Sequence, residues 1–427
     1  MFSMATGVLL MWLIFVRFGL QGTTVPVSAK SLHSEQGSGM EGLVARVDTS
    51  SGLGALPDDL SRGVFGIFGI PFDALNLSSL LHKIGAATSA GAPFLISTAN
   101  VNFLMSGLSD SEFRESLLLS DLCLVDGMPI VWIARLLGIP IGERLAGSDL
   151  FDTLKASNAT GRRLKVFLFG GGEGVAEHVS EGLNARPSGM ECVGTLNPGF
   201  GSVEELSSEQ IIKTINASQA DLLAVFLSAS KAQKWLLHNH DRLQIPVRAQ
   251  FGAVINFQAG TIERAPPFLR KIGFEWVWRI KEEPYLWRRY WLDGKGLFWL
   301  LATRALPLGV NMLKRRLASL FKLDNLKIDW IDHDHSTVIQ LSGYAIARHA
   351  DSATSLFRHA LDERKPVTVD LSKLHAIDQR FFGLFLMLRK QLRRHGHDLN
   401  FSGITAKAER AFRQNGFYFL LQAQERE

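Results

Sequence analysis

Cysteine is nearly absent: Cys123 and Cys192 are the only two in 427 residues, too few for a disulfide framework. Both lie in apolar strand-like runs, where a small buried hydrophobe is the expected role, and a reducing compartment is favoured. Strong net charge is lacking as well, and +5 at pH 7 does not by itself imply nucleic acid. No D-x-D stands in a loop, since Asp58-Asp59 falls in a stretch read as linker. The twelve His show no ligand-like spacing apart from His333/His335, which sit in a hydrophilic stretch, so no metal site is expected. The segment Met4 to Leu20 is apolar apart from Arg17 and has no basic residue before it. It fits neither a secretory signal nor a spanning helix, which leaves a weak anchor or an upstream start codon as its two readings.

What is present is an alternation. Gln21 to Leu60 is rich in Ser, Gly and Thr and is expected to be a disordered linker, with order beginning near Val64. Short apolar runs follow at Phe94–Thr98, Leu122–Val125, Val166–Phe169, Leu222–Leu227 and Val247–Phe251, separated by segments with helical spacing. Nearly all-apolar strands alternating with helices predict a Rossmann-like parallel sheet covered on both faces. After Arg264 the chain turns helical and dense in Trp, Arg and Lys as far as Arg316. A second βαβαβα pattern begins past Asp324, with strands at Thr337–Leu341, Val367–Leu371 and Leu399–Ser402. Its length suits one small α/β domain.

Ligands of open α/β sheets sit at the carboxyl ends of strands. Three polar clusters stand at such ends: Thr98/Asn100/Asn102, Asp126-Gly127, and Gly170-Gly171-Gly172-Glu173-Gly174. If their strands are neighbours, they line one crevice. The glycine loop suits a diphosphate, because small residues admit the anion to free N–H groups at a helix start. It is neither G-x-G-x-x-G nor followed by a Walker lysine, so dinucleotide and ATP are not indicated, and a purely structural turn is the competing reading. Asp126 is either a general base whose pKa burial raises or a cap for the next helix. Thr98 and Asn100 either orient a sugar hydroxyl or cap a helix. With no metal, a leaving diphosphate would need arginines, and Arg144, Arg264, Arg279, Arg288 and Arg289 are the candidates.

From Tyr285 to Arg316, Trp287, Trp291, Phe298 and Trp299 are interleaved with Arg288, Arg289, Arg304, Lys314, Arg315 and Arg316. The apolar stretch Leu297–Leu308 lies between the basic clusters, as in an interfacial helix on an anionic bilayer; ordinary core packing of the Trp side chains is the alternative.

Ordered motifs extend from Phe94 to about Tyr290: Thr98-Ala-Asn100, Asp121-Leu-Cys-Leu-Val-Asp126-Gly127-Met-Pro129, Glu143-Arg144-Leu-Ala-Gly147-Ser-Asp149 and Phe167-Leu-Phe-Gly-Gly-Gly172-Glu-Gly. They continue with Asn197-Pro-Gly-Phe200, Arg264-Ala-Pro266, Glu275-Trp276-Val-Trp-Arg279 and Arg289-Tyr290. This half of the chain resembles the WecG/TagA/CpsF glycosyltransferases. The resemblance implies inverting transfer of an N-acetylmannosamine-type sugar from UDP to a polyprenyl-diphosphate-linked acceptor, with no cofactor beyond the UDP-sugar. It implies Asp126 as base, Thr98 and Asn100 in the pocket, and an arginine-rich appendage completing the site at the membrane. Where the family often reads P-K-Q-E before a Trp, this chain has Ser230-Lys231-Ala232-Gln233-Lys234-Trp235; Gln233, one place later, is the candidate nucleotide contact there.

The tail from about Ile328 to Leu421 resembles a STAS domain through Val367-Thr-Val-Asp370-Leu-Ser and Ala376-Ile-Asp378. The phospho-switch Ser or Thr that such domains carry after the aspartate is replaced by Gln379. The resulting expectation has four parts: an apolar segment and flexible linker over 1–62, a glycosyltransferase α/β domain over 63–261, a membrane-facing basic aromatic appendage over 262–325, and a STAS-like domain over 326–427. The two folded units are expected to be separable. The enzyme would work peripherally at the cytoplasmic face of the inner membrane, with self-association and a protein partner for the tail both open. An inactive scaffold that recruits partners through its tail is the alternative function.

Overall fold

The chain is described by a computed structural model over residues 58–157, 162–185, 188–319 and 325–422, with backbone only for 315–319. Met4–Leu20 and the linker up to residue 57 lie outside the described residues. The first apolar run is a hairpin rather than one strand: β1 (Val64–Ile67) and β2 (Ile70–Asp73) pair antiparallel. Phe68 and Gly69 make its two-residue turn, with φ of 48° and 89°. Such left-handed pairs match the twist of a hairpin.

The alternating region builds six parallel strands: β3 (Phe94–Ala99), β4 (Leu122–Val125), β5 (Leu164–Gly170), β6 (Met190–Leu196), β7 (Leu222–Phe226) and β8 (Val247–Gln250), in the order β4-β3-β8-β7-β5-β6. Successive side chains go to opposite faces. Leu122, Leu124, Val166, Leu168, Leu222 and Ala224 join the core on one side, while Leu95, Phe167, Phe169, Leu223 and Val225 join the other. Helices cover both faces, which is why these strands read as continuous apolar runs.

The C-terminal unit is a five-stranded sheet. Its β10 (Thr337–Ala345) pairs antiparallel with β9 (Leu326–Asp332) and parallel with β11 (Val367–Asp370) and β12 (Leu374–Ile377), and β11 pairs with β13 (Leu399–Ser402). Sequence periodicity misses β9 because it is half-wet along its length and carries Lys and Asp. His333 and His335 fall in its turn to β10.

The two halves share one core, which runs against the expectation of separable units. The Gln379–Arg394 helix is buried from Phe381 to Leu388, and Leu60, Val64 and Leu118 of the first half complete its core. At Gly383 the helix meets β1 so closely that a Cβ would lie 2.1 Å from the Val64 carbonyl oxygen. Charges are buried at this junction as well. Asp59 is fully buried in a short helical turn, Asp59–Ser61, not part of a linker. Its Oδ1 accepts from Arg62 Nη1 at 2.6 Å and Lys390 Nζ at 3.1 Å, and its Oδ2 from Arg394 Nη1 at 2.8 Å. Arg62 also donates to both oxygens of Asp73, at 3.1 and 2.8 Å. All described residues accordingly belong to one unit, Pro57–Glu427.

Candidate active site

Asp126 follows β4 and donates its own backbone N–H to the Ala99 carbonyl at 2.9 Å, which fixes it beside the end of β3. The following helix, Met128–Leu136, has Gly127 as its N-cap residue and no side-chain cap. The capping role is therefore not the one Asp126 performs. Burial pushes its carboxyl up to about 7; Arg144 opposes that shift, Glu275 and Asp149 add to it, and the Gly147 N–H lowers it. A carboxyl poised there is half ionised near neutrality, the condition for general base work.

Asn100 does cap: its Oδ1 accepts from Asn102 N at 3.0 Å and Phe103 N at 3.3 Å, starting the Val101–Ser109 helix. It also borders the Asp126-Gly127 turn, since a Cβ on Gly127 would lie 3.9 Å from its own. Thr98 is buried at the end of β3. Its hydroxyl receives Gln250 Nε2 at 3.1 Å and donates to the Gln250 carbonyl at 3.3 Å. Gln250 closes β8, the neighbouring strand, and its buried Oε1 has no hydrogen-bond partner among the described residues. Sequence reading passed over it; its signal is an amide at the carboxyl end of a strand-like run that also carries Arg248.

The arginines gather around carboxylates. Arg144 pairs with Glu275 and, at 3.1 Å, with Asp149. Arg264 donates to Asp152 Oδ2 and Ser148 Oγ, each at 2.6 Å, and pairs with Asp149; Arg270 reaches Asp149 at 3.4 Å. Asp149 therefore joins three cations, and it and Glu275 are members of the cluster that sequence reasoning did not single out. Both stand inside the quoted motifs, which was the available signal. Any diphosphate entering here would exchange with these carboxylates for the guanidinium forks. Arg279 pairs with Glu283 and lies over Phe257, 5.0 Å from the ring centroid, and Arg289 lies 4.9 Å over Tyr290.

The glycine loop sits apart. β8 and β7 separate β5 from β3. At roughly 4.8 Å per strand, Gly170 is about 14 Å along the sheet from Thr98, so β3 and β4 are neighbours and β5 is not, and the condition for one crevice holds for only two of the three clusters. Gly170, Gly171 and Gly174 have φ of 95°, 96° and 72°. A Cβ on Gly171 would come 3.1 Å from Ile255 Cδ1. The backbone conformation thus favours glycine at all three positions, with or without a ligand. Glu173 is exposed, and the Val175–Asn184 helix begins with no side-chain cap, leaving its first N–H groups without one. Gln233 does not join the group: it is buried under the sheet, donating to Ser97 Oγ at 2.6 Å. Ser97 points to the face opposite Thr98, which explains the displacement.

The appendage is helical. Pro284–Lys314 is the one helix among the described residues long and apolar enough to cross a membrane, judged by length and composition alone. Only 22% of its apolar window is buried, and Trp287, Trp291, Leu292, Phe298, Trp299, Leu306 and Val310 are exposed. Its other side carries Leu300 and Ala305 into the core around Phe103 and Ile133. The side chains of Arg315 and Arg316 lie outside the described residues.

Known proteins match both halves. Residues 331–422 match the "Mlab, STAS domain" family. A solved STAS domain, an antisigma-factor antagonist from Rhodobacter sphaeroides, aligns over 19% of this chain and 92% of its own at 17% identity, with a TM-score of 0.16. Two N-acetylglucosaminyldiphosphoundecaprenol N-acetyl-beta-D-mannosaminyltransferases are similar to the first half. That of Bacillus spizizenii is 28% identical over 45% of this chain and 73% of its own length, and that of Bacillus subtilis 26% identical over 52% and 85%. Residues 65–309, more than half of the chain, match the glycosyl transferase WecG/TagA/CpsF family. With Asp126, Thr98 and Asn100 gathered at adjoining strand ends, the chain belongs to that family and is a glycosyltransferase with a STAS domain at its C-terminal side.

Proposed function

We propose that the protein moves an N-acetylmannosamine-type sugar from UDP to a polyprenyl-diphosphate-linked acceptor, inverting the anomeric centre. The observation that carries this reading is the Asp126 carboxyl, held at the end of β4 with its pKa pushed up to about 7. Ionised Asp126 takes the proton of the acceptor hydroxyl as its oxygen bonds to the anomeric carbon. The bond to the UDP oxygen breaks, and the electron pair leaves with the diphosphate. Arg144 and Arg264 stabilise that charge once the diphosphate displaces their carboxylate partners, so the mechanism calls for no metal. Thr98 and Gln250 orient the sugar. The names of the two relatives support the acceptor class.

The exposed aromatic side of the Pro284–Lys314 helix, with Arg288 and Lys314 exposed on it, supports a peripheral position on an anionic, cytoplasmic membrane face. Purified protein supplied with a panel of UDP-sugars and a lipid-diphosphate-GlcNAc acceptor tests the proposal. Transfer from a UDP-N-acetylmannosamine donor supports it; donor binding without transfer to any acceptor would favour the scaffold reading.

A further inference from the structure

The helical stretch from Trp287 to Ser319 carries one acidic residue, Asp293, among many Lys and Arg. Asp293 does not face the exposed aromatic side. It is half-buried against the catalytic domain, and both of its oxygens accept from Asn102 Nδ2, at 3.2 and 3.4 Å. One turn further along both helices the contact turns apolar: Gly296 lies so close to Met105 that a Cβ would stand 2.6 Å from its Sδ. Leu297, Leu300 and Leu301 extend that seam over the Phe103 cluster. Apolar burial along this seam contributes to holding the helix. A carboxylate at the end of an apolar seam costs desolvation, and the attested use of such a group is to set register.

The register set here is that of the site. Asn102 is the second residue of the helix that Asn100 caps, and Asn100 borders Gly127, next to the Asp126 base. We propose that Asp293 is a positioning residue for the acceptor: its bond to Asn102 fixes the lipid-facing helix against the Asn100–Asn102 turn, so that a diphosphate-linked sugar held at a bilayer surface meets Asp126. The inference rests on the proposed function for the identity of the acceptor. Burial raises the Asp293 pKa, while Asn102 and Arg289 work against that shift, so the carboxylate has one hydrogen-bonding and one cationic neighbour.

The test uses the full chain on anionic vesicles with Asp293→Leu, Asn102→Asp, and the exchanged pair Asn102→Asp/Asp293→Asn. Loss of a hydrogen bond to a charged group corresponds to about tenfold in an equilibrium constant. The acceptor KM in vesicles is expected to rise about that much in each single variant, with donor KM unchanged, and to recover in the exchanged pair. In Asp293→Leu, turnover of a water-soluble short-chain acceptor is expected to survive, because that acceptor needs no lipid-facing helix. An unchanged vesicle-acceptor KM in Asp293→Leu overturns the proposal, as does equal loss with the soluble acceptor. Equilibrium binding of a fluorescent polyprenyl-diphosphate sugar to the same vesicles keeps the two readings apart. If the parent protein binds it but transfers nothing, the functional reading fails, and the pin then stands or falls on whether Asp293→Leu weakens that binding.

Discussion

Lys390 Nζ donates to Asp121 Oδ1 at 3.1 Å, and Asp121 Oδ2 accepts the Leu95 N–H at 2.9 Å. One carboxylate thus joins the STAS helix to the strand that presents Thr98. The same ammonium also donates to Asp59 Oδ1 and the Ser120 carbonyl, so all three of its protons are used. Asp121 immediately precedes the four-residue β4 and Asp126 immediately follows it, so the STAS domain braces that strand from the end opposite Asp126.

Lys390→Met leaves Asp59 and Asp121 short of a buried partner, a class of change that costs about 3–5 kcal/mol. Denaturant unfolding is expected to show one transition shifted by that amount. Truncation after Asp324 does more, exposing Leu60, Val64 and Leu118 and removing two cations from Asp59; the product is expected to be insoluble or inactive. A soluble truncated protein with full turnover would refute the brace. The pH dependence has a definite sign. Burial acts to raise the Asp59 pKa, but Lys390, Arg62 and Arg394 outweigh it and leave that pKa lowered. Its contribution is thus present above the unfolded carboxylate range, near pH 4, and is lost as pH falls through the folded value.

Asp126→Asn is expected to lower turnover on the order of 10²-fold or more, with donor affinity nearly intact. In the parent protein kcat/KM should rise with pH through about 7, as the base loses its proton, and the variant should lack that limb. Stability supplies an independent check. A carboxyl whose folded pKa is raised costs stability as pH climbs past it, so Asp126→Asn should be more stable than the parent at pH 8 and not at pH 4. Near-normal turnover in the variant removes Asp126 from the mechanism.

Arg264→Ala is expected to slow the chemical step, measured in single turnovers, by about 10²-fold, the scale for losing one donor to a developing charge. Chelation with EDTA should leave the parent rate unchanged, and added magnesium or manganese should not rescue the variant. A parent rate that EDTA abolishes and a divalent cation restores would contradict a purely guanidinium-based departure of UDP.

Gln250→Leu removes the amide whose oxygen has no partner among the described residues and whose Nε2 holds Thr98. If that oxygen receives a donor-sugar proton, donor KM rises about tenfold and discrimination between epimeric UDP-sugars narrows. Equal kinetics for every donor in the parent and the variant would confine Gln250 to orienting Thr98.

What the sequence made legible follows from burial. β3, β4, β5 and β7 are covered on both faces, so their apolar runs stand out, and the polar residues at two of their carboxyl ends, Thr98 and Asp126, are the candidates for the site. Strand order was not legible, because β7 and β8 enter between β3 and β5 only in three dimensions, which moved the glycine loop away from Asp126. Gln233 misled because packing decides which face of its helix is buried: it lies inward with Ala232, Trp235 and Leu236 and meets Ser97. Asp59 looked like linker because its partners, Lys390 and Arg394, are more than 300 residues away.

The exposed side of the Pro284–Lys314 helix yields the last expectation. Trp287, Trp291 and Trp299 are each more than half exposed, which is costly in water and favourable at a headgroup boundary. Each Lys or Arg near anionic lipid adds about 1 kcal/mol, and salt screens that attraction within a Debye length. Arg304, Lys314, Arg315 and Arg316 changed together to Gln should therefore release the protein from anionic liposomes, more completely as salt rises. Trp291→Ser/Trp299→Ser should weaken binding to anionic and neutral liposomes alike, because the apolar term does not depend on charge. Both variants must lack Met4–Leu20, whose apolar side chains would otherwise add binding of their own. Cosedimentation at two salt concentrations separates the terms. If the Gln variant stays bound at high salt and the Trp variant is also unaffected, the helix is not the membrane contact, and its aromatic side must be covered by protein instead.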